Sequence, residues 1–147
     1  GEPPPGPPGS APPPPRDPPG ILDLMAFLGR PADAAPAPDP EWEVSAEDVR
    51  RRLDAGDDLL LVDCRTDLER ELARIEPSVH APMDALDRHV ETITARPDRP
   101  VVVYCHHGVR SLRVAAALRR LGLDSVHSLA GGIDRWSTAI DPSVPRY

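Results

Sequence analysis

The sequence predicts an α/β fold, with a parallel sheet covered by helices on both faces. Three observations predict it. Strand-like and helix-like segments alternate from residue 41 onward, at the spacing of strand–helix–strand units. Two of the strand-like segments, residues 59–62 and Val101–Tyr104, are unbroken apolar runs, the pattern of strands buried on both faces. Prolines are also unevenly placed: 15 of the 21 fall in the first 40 positions. Proline removes a backbone donor and fixes φ, so regular structure is confined to the remaining 107 residues. That length suits one domain with a modest core.

The elements follow in order. Residues 1–20 read as a solvated polyproline-type spacer and residues 31–40 as a second linker, so residues 1–40 form a linker segment before a domain at 41–147. Between them, Ile21–Leu28 has apolar residues enough for about two helical turns, a length marginal in water; it is expected as a frayed pre-domain segment, with docking on the domain or on a partner as the alternative. Residues 41–44 alternate like a short strand. Ser45 with Asp48 resembles a capping box, and Ala46, Val49 and Leu53 line one helical face before Gly56. After the 59–62 strand, residues 67–75 read as a charged helix, residues 79–83 as an extended piece and residues 84–93 as a helix. Val101–Tyr104 is the strongest strand. Residues 111–121 follow with Val114, Ala117, Leu118 and Leu121 at helical spacing, closed by Arg119, Arg120 and Gly122. Residues 125–127 make a last strand, and Gly131-Gly132 open a final helical turn holding Trp136.

Composition excludes several functions. The net charge of −7 leaves no basic face for a phosphate backbone, so no nucleic-acid partner is expected. No apolar run approaches the roughly 20 residues of a membrane span, and no basic, apolar leader is present, so neither a membrane nor secretion is expected. Two cysteines, Cys64 and Cys105, are too few for a disulfide framework, which makes a reducing cytoplasmic location the default. All 17 basic residues are arginine, which reads as codon usage in a GC-rich genome.

In parallel sheets chemistry sits at the carboxyl ends of strands, where loops lead into helix N-termini. Here that point reads Tyr104-Cys105-His106-His107-Gly108-Val109-Arg110-Ser111. A cysteine in this place faces open amides and a helix dipole, which favour the nucleophilic thiolate. Gly108 lets the backbone curl so that successive amides converge. Arg110 adds a cation whose planar fork suits oxyanions, and Ser111 is placed to cap the helix and donate to the sulfur. His106 and His107 are adjacent on a tight loop and diverge, with no further Cys/His pair to complete a metal set; they are expected to line the pocket mouth, with no metal or cofactor.

At these residues the chain resembles the rhodanese family. The resemblance covers residues 41–147 and rests on Leu61-Val62-Asp63-Cys64-Arg65, on the loop from Cys105 to Arg110, and on Leu129-Ala130-Gly131-Gly132-Ile133-Asp134-Arg135-Trp136. It is nearest in character to single-domain bacterial sulfurtransferases and to the modules fused behind ubiquitin-like-activating enzymes. It implies a three-layer domain with a central, mostly parallel five-stranded sheet. Residues 74–78 depart from the family's His-Ile-Pro-Gly-Ala pattern, and His106 and His107 stand where a thiosulfate-preferring site has Arg-Lys.

The resemblance implies that the Cys105 thiolate takes the outer sulfur of an anionic donor such as thiosulfate. The resulting persulfide is held by the amides of residues 106–111, with Arg110 orienting the donor. Cyanide, a thiol or an acceptor protein then removes the sulfur, which is covalent catalysis in two steps. Cys-x4-Arg is one residue shorter than the loop of related phosphatases, which favours sulfur over phosphate. The alternatives are a sulfur-carrier or interaction module with little small-molecule turnover, and a cysteine-based phosphatase or arsenate reductase. Cys64, on the strand expected beside Val101–Tyr104, reads chiefly as a core residue and secondly as a resolving or redox partner of Cys105.

Overall fold

A computed structural model describes Gly1 and residues 21–29 and 40–147 of the chain. The proline-rich residues 2–20 and 30–39, with any binding of a proline-recognising module, lie outside the described residues. The strands are β1 (Glu43–Val44), β2 (Leu60–Asp63), β3 (Val79–His80), β4 (Val101–Tyr104) and β5 (Val126–Leu129). The helices are α1 (Ile21–Leu28), α2 (Ala46–Asp54), α3 (Asp67–Leu72), α4 (Val90–Thr94), α5 (Val109–Arg120) and α6 (Gly132–Ala139). The strands form one parallel five-stranded sheet in the order β1-β5-β4-β2-β3.

The alternation of side chains along the central strands builds two cores. Val62, Val101, Val103, Cys64 and Cys105 face one side, covered by α1, α4 and α5 through Leu24, Phe27, Ile93, Val114 and Leu118. Leu61, Val102, Tyr104 and Leu129 face the other, covered by α2 and α6 through Val49, Ile133 and Trp136. The result is a three-layer α/β domain. β4, buried at every position, is its centre.

Local differences from the sequence reading have physical causes. Residues 40–42 form a 3-10 turn, so the first strand shortens to Glu43–Val44. Ser45 caps α2 by accepting from the Asp48 amide, while the reciprocal capping box belongs to Thr66 and Glu69 at α3. α3 stops at Leu72 because Ala73 is already extended (φ −164°, ψ 148°). Residues 83–89 are 3-10 rather than α, broken at Ala85.

The segment Ile21–Leu28 is helical and packs on the domain rather than fraying. Leu24, Phe27 and Leu28 are buried in the first core, the Arg113 guanidinium donates to the Leu28 carbonyl at 2.7 Å, and that of Arg120 lies 4.9 Å from the Phe27 ring. Tertiary burial thus stabilises a helix too short to persist alone. Phe27→Ala is expected to lower stability by about 3 kcal/mol, read from the urea midpoint. An unchanged midpoint would show that α1 contributes nothing.

Candidate active site

β4 carries its chain straight into the site. Cys105 follows the strand directly and is 1% exposed. The next turn needs Gly108, which sits at φ +103° as the residue before α5. That conformation turns the Gly108 amide back onto Cys105 Sγ at 3.1 Å, while the Ser111 amide points at the same sulfur from 3.4 Å. The Ser111 hydroxyl lies 3.3 Å from Sγ and 2.7 Å from the hydroxyl of Ser128 on β5. Ser111 therefore sits inside the first turn and does not cap α5, whose start has no side-chain cap. Of the loop amides, those of Gly108 and Ser111 bond the sulfur directly.

A second glycine fixes the loop from behind. The amides of Ile133 and Asp134, at the start of α6, donate to the carbonyls of Cys105 (2.9 Å) and His106 (3.1 Å). At Gly132 a side-chain carbon would overlap both carbonyl oxygens. The paired glycines before Trp136 thus let helix α6 come close enough to hold the loop.

Cys64 occupies the matching place on β2. Asp63 pairs with Tyr104, and the Cys64 amide donates to the Tyr104 carbonyl at 3.1 Å, so the two cysteines are neighbours just past the ends of adjacent strands. Both are free and buried. The Cys64 thiol points toward the Tyr104 carbonyl oxygen at 3.4 Å and also interacts with Cys105. The two sulfurs respond in opposite directions. The neighbouring Cys64 thiol lowers the Cys105 pKa most; burial opposes it, and the Ser111 hydroxyl and the amides of Ser111 and Gly108 add to it, leaving a value of about 5. Cys64 is pushed well above the usual thiol range, by its hydrogen bond to Cys105 first and by burial second. One thiolate and one thiol share the site.

Arg110 does not stand open. Its two terminal nitrogens donate to Glu69 on α3, Nη1 to Oε1 at 2.6 Å and Nη2 to Oε2 at 2.8 Å. Tyr147 Oη donates to the same Glu69 Oε2 at 2.6 Å and accepts from Arg65 Nη1 at 2.9 Å. Arg110 holds the Glu69 carboxyl far below the ordinary carboxylate range against the opposing effect of burial, and Tyr147 adds to that. The fork that the sequence reading assigns to the donor is filled here by a carboxylate.

His106 and His107 follow Cys105 on its loop. His106 stacks on the Tyr147 ring (centroids 4.0 Å apart, 9° between planes) and is 3.9 Å from the His107 ring. His107 is exposed, with Nδ1 4.0 Å from Asp134. Val109 is 70% exposed.

Below the site lies a buried ion network. Arg65, fully buried, donates from Nε and Nη2 to the two oxygens of Asp63, each at 2.8 Å, and from Nη2 to the Ala73 carbonyl at 2.5 Å. Arg70 adds a bond to Asp63 Oδ2 at 3.3 Å and to Ser78 Oγ at 2.7 Å. Burial alone would raise the Asp63 carboxyl; Arg65 and Arg70 outweigh it and lower it.

Sequence reasoning did not find Glu69, Ser128 or Tyr147. Glu69 had a signal: the Thr66–Glu69 capping box places it in the first turn after β2, on the sheet edge where the site lies. Ser128 and Tyr147 reach the site through the fold alone.

Residues 45–139 match the rhodanese-like domain family, and the chain belongs to that family. It is 36% identical over 95 residues to a sulfurtransferase of Allochromatium vinosum, covering 65% of this chain and 87% of the relative. It is 28% identical over 127 residues to a probable adenylyltransferase/sulfurtransferase, MoeZ, of Mycobacterium tuberculosis. The match covers 86% of this chain and only 32% of that relative's length. A rhodanese-like domain protein from Staphylococcus aureus shares the fold, with a TM-score of 0.61 at 23% identity over 71% of this chain and 97% of the other. Among the described residues no helix is long and apolar enough to cross a membrane.

Proposed function

We propose that the domain is a sulfurtransferase that moves a sulfane sulfur from a donor such as thiosulfate to a nucleophilic acceptor through a persulfide on Cys105. One observation carries the reading: Cys105 Sγ is buried yet receives the Gly108 amide at 3.1 Å and stands beside the Ser111 hydroxyl at 3.3 Å, with its pKa lowered to about 5. A stable thiolate in a water-poor pocket is the nucleophile this chemistry needs. It attacks the outer sulfur of thiosulfate; a new S–S bond forms, the old one breaks, and sulfite leaves with the bonding pair. The amides and hydroxyl around the sulfur then hold the persulfide. Cyanide, a thiol or an acceptor protein then takes the outer sulfur and returns the thiolate. Thiocyanate release from thiosulfate and cyanide, with no phosphate release from an aryl phosphate, is the expected result. The reverse pattern would establish the phosphatase reading.

The carrier reading is favoured by a separate observation. Leu68 and Leu72 (66% and 50% exposed), near Glu69 in sequence, and Val109, next to Arg110, are exposed apolar side chains available to a protein acceptor. Steady-state rates with a protein thiol against cyanide separate the two.

Cys64 has a role in the same reading. It supports the thiolate as its neighbour, and it resolves an oxidised Cys105. Hydrogen peroxide would convert the thiolate to a sulfenic acid; the Cys64 sulfur then displaces the hydroxyl, which leaves as water with the Cys64 proton, giving a disulfide. The pH dependence follows from the lowered pKa. Thiolate persists above about pH 5 and is lost below it. Thiolate absorbance and alkylation rate are expected to fall through that value in the wild type. In Cys64→Val the midpoint moves upward, because the first contributor to the low pKa is gone. The same variant forms no reductant-reversible disulfide with peroxide. An unmoved midpoint would remove Cys64 from the thiolate's support.

A further inference from the structure

The fork of Arg110 is closed by a neighbouring carboxylate, and that closure bears on which donors the site accepts. Glu69 takes both terminal nitrogens of Arg110, at 2.6 and 2.8 Å, so the pair contributes no net charge to the pocket. Glu69 is itself fixed twice more. Its Oε2 accepts from Tyr147 Oη at 2.6 Å, and its backbone carbonyl accepts from Arg65 Nη1 at 3.3 Å. Tyr147 is anchored by the bond from Arg65 and by its stack on His106 in the Cys105 loop. Arg65 is in turn held by Asp63 with no exposure to solvent. The carboxylate is therefore built in.

The charges facing the sulfur from each packed element complete the picture. The loop offers neutral amides and the Ser111 hydroxyl, β2 offers the Cys64 thiol, and Arg110 at the start of α5 is the cation near the sulfur, its fork taken by Glu69 of α3. A dianion such as thiosulfate would have to enter without a free guanidinium to offset its charge. A thiol persulfide reacting as neutral R–S–SH needs no such cation.

We propose that Glu69, held by Tyr147, is a specificity-determining residue that disfavours dianionic donors and selects persulfides of thiols as the sulfur source. The inference rests on the Cys105 sulfur-transfer reading. The step balances without an external oxidant or reductant. The Cys105 thiolate attacks the outer sulfur of R–S–SH, the new S–S bond forms as the old one breaks, and R–S⁻ leaves with the bonding pair.

The test compares two donors, thiosulfate and the persulfide of 2-mercaptoethanol, each with cyanide as acceptor. Glu69→Gln is the informative variant because glutamine still completes the Thr66 capping box while freeing the Arg110 charge. The expected result is a rise of about tenfold in the ratio of kcat/KM for thiosulfate to kcat/KM for the persulfide, expressed as a lower KM for thiosulfate. Tyr147→Phe keeps the stack on His106 but removes one hydrogen bond from Glu69. It is expected to move the ratio the same way by a smaller factor, and it serves as the second probe if Glu69→Gln does not fold. A ratio unchanged in every folded variant, or shifted toward the persulfide, overturns the specificity role and leaves the sulfur-transfer reading standing. Failure of both donors to load Cys105 in the wild type overturns that reading and this inference with it.

Discussion

Cys105→Ser is expected to lose sulfur transfer from thiosulfate to cyanide by at least about a thousandfold while the domain remains folded. Serine fits the same space, and its hydroxyl can still accept from the Gly108 and Ser111 amides that now reach the sulfur at 3.1 and 3.4 Å. What it cannot do is ionise. The surroundings bring a thiol down to about 5, a displacement from an ordinary value of 9.0. A displacement of that size leaves an alcohol protonated throughout the working pH range. Nor can an ordinary hydroxyl accept a transferable sulfane sulfur. Thiocyanate production is the activity measurement, and thermal unfolding followed by circular dichroism is the control. Retained activity in a folded serine variant would move the chemistry away from Cys105.

The second large effect is on stability. Asp63→Ala is expected to destabilise the domain by about 3–5 kcal/mol, the cost of leaving a buried charge without its partner. Asp63 and Arg65 have no exposed side-chain surface, and Asp63 accepts from Arg65 at 2.8 Å on each oxygen. Removing the carboxylate strands the guanidinium beneath the sheet edge. Arg65 also donates to Tyr147 and to the Glu69 and Ala73 carbonyls, so the contacts that fix the Arg110 partner loosen as well. The sign of the pH dependence is defined. Burial raises the Asp63 carboxyl but Arg65 and Arg70 bring it below its ordinary value, 3.8. A group lowered on folding contributes fully above its unfolded value and loses that contribution as pH falls through the folded one. The wild type should therefore lose this increment only in acid, and the alanine variant should lack it at neutral pH. A denaturation midpoint at pH 7 equal to that of the wild type would contradict the account.

What the sequence made legible was local in the chain. Val101–Tyr104 is found at its full extent because four apolar or aromatic residues in a row suit a strand buried on both faces. The Cys105 loop follows it because strand, cysteine, glycine and helix start lie within a few residues of one another. β2 is offset by one residue for an instructive reason. An apolar run ends at Val62, yet the strand continues through Asp63, whose charge is matched by Arg65 inside the fold. A pattern read from hydrophobicity cannot register a buried charge whose partner makes it tolerable.

Contacts between distant segments were the other blind spot. Arg110 was legible as a cation near the nucleophile, but its occupation by Glu69 depends on α3 packing beside the β4–α5 loop, 41 positions away in the chain. Tyr147 reaches Arg65 across 82 positions. The helix Ile21–Leu28 illustrates the same point in packing: its isolated propensity is marginal, and only the core supplied by the domain explains why Leu24, Phe27 and Leu28 are buried.

The central claim is that Cys105 carries the sulfur. Mass spectrometry of the intact chain after incubation with thiosulfate or a thiol persulfide, followed by removal of the donor, tests it most directly. The account predicts a gain of one sulfur atom's mass, located on the peptide containing Cys105, reversed by cyanide and absent from Cys105→Ser. A gain that persists in the serine variant, or no gain with either donor, would contradict it.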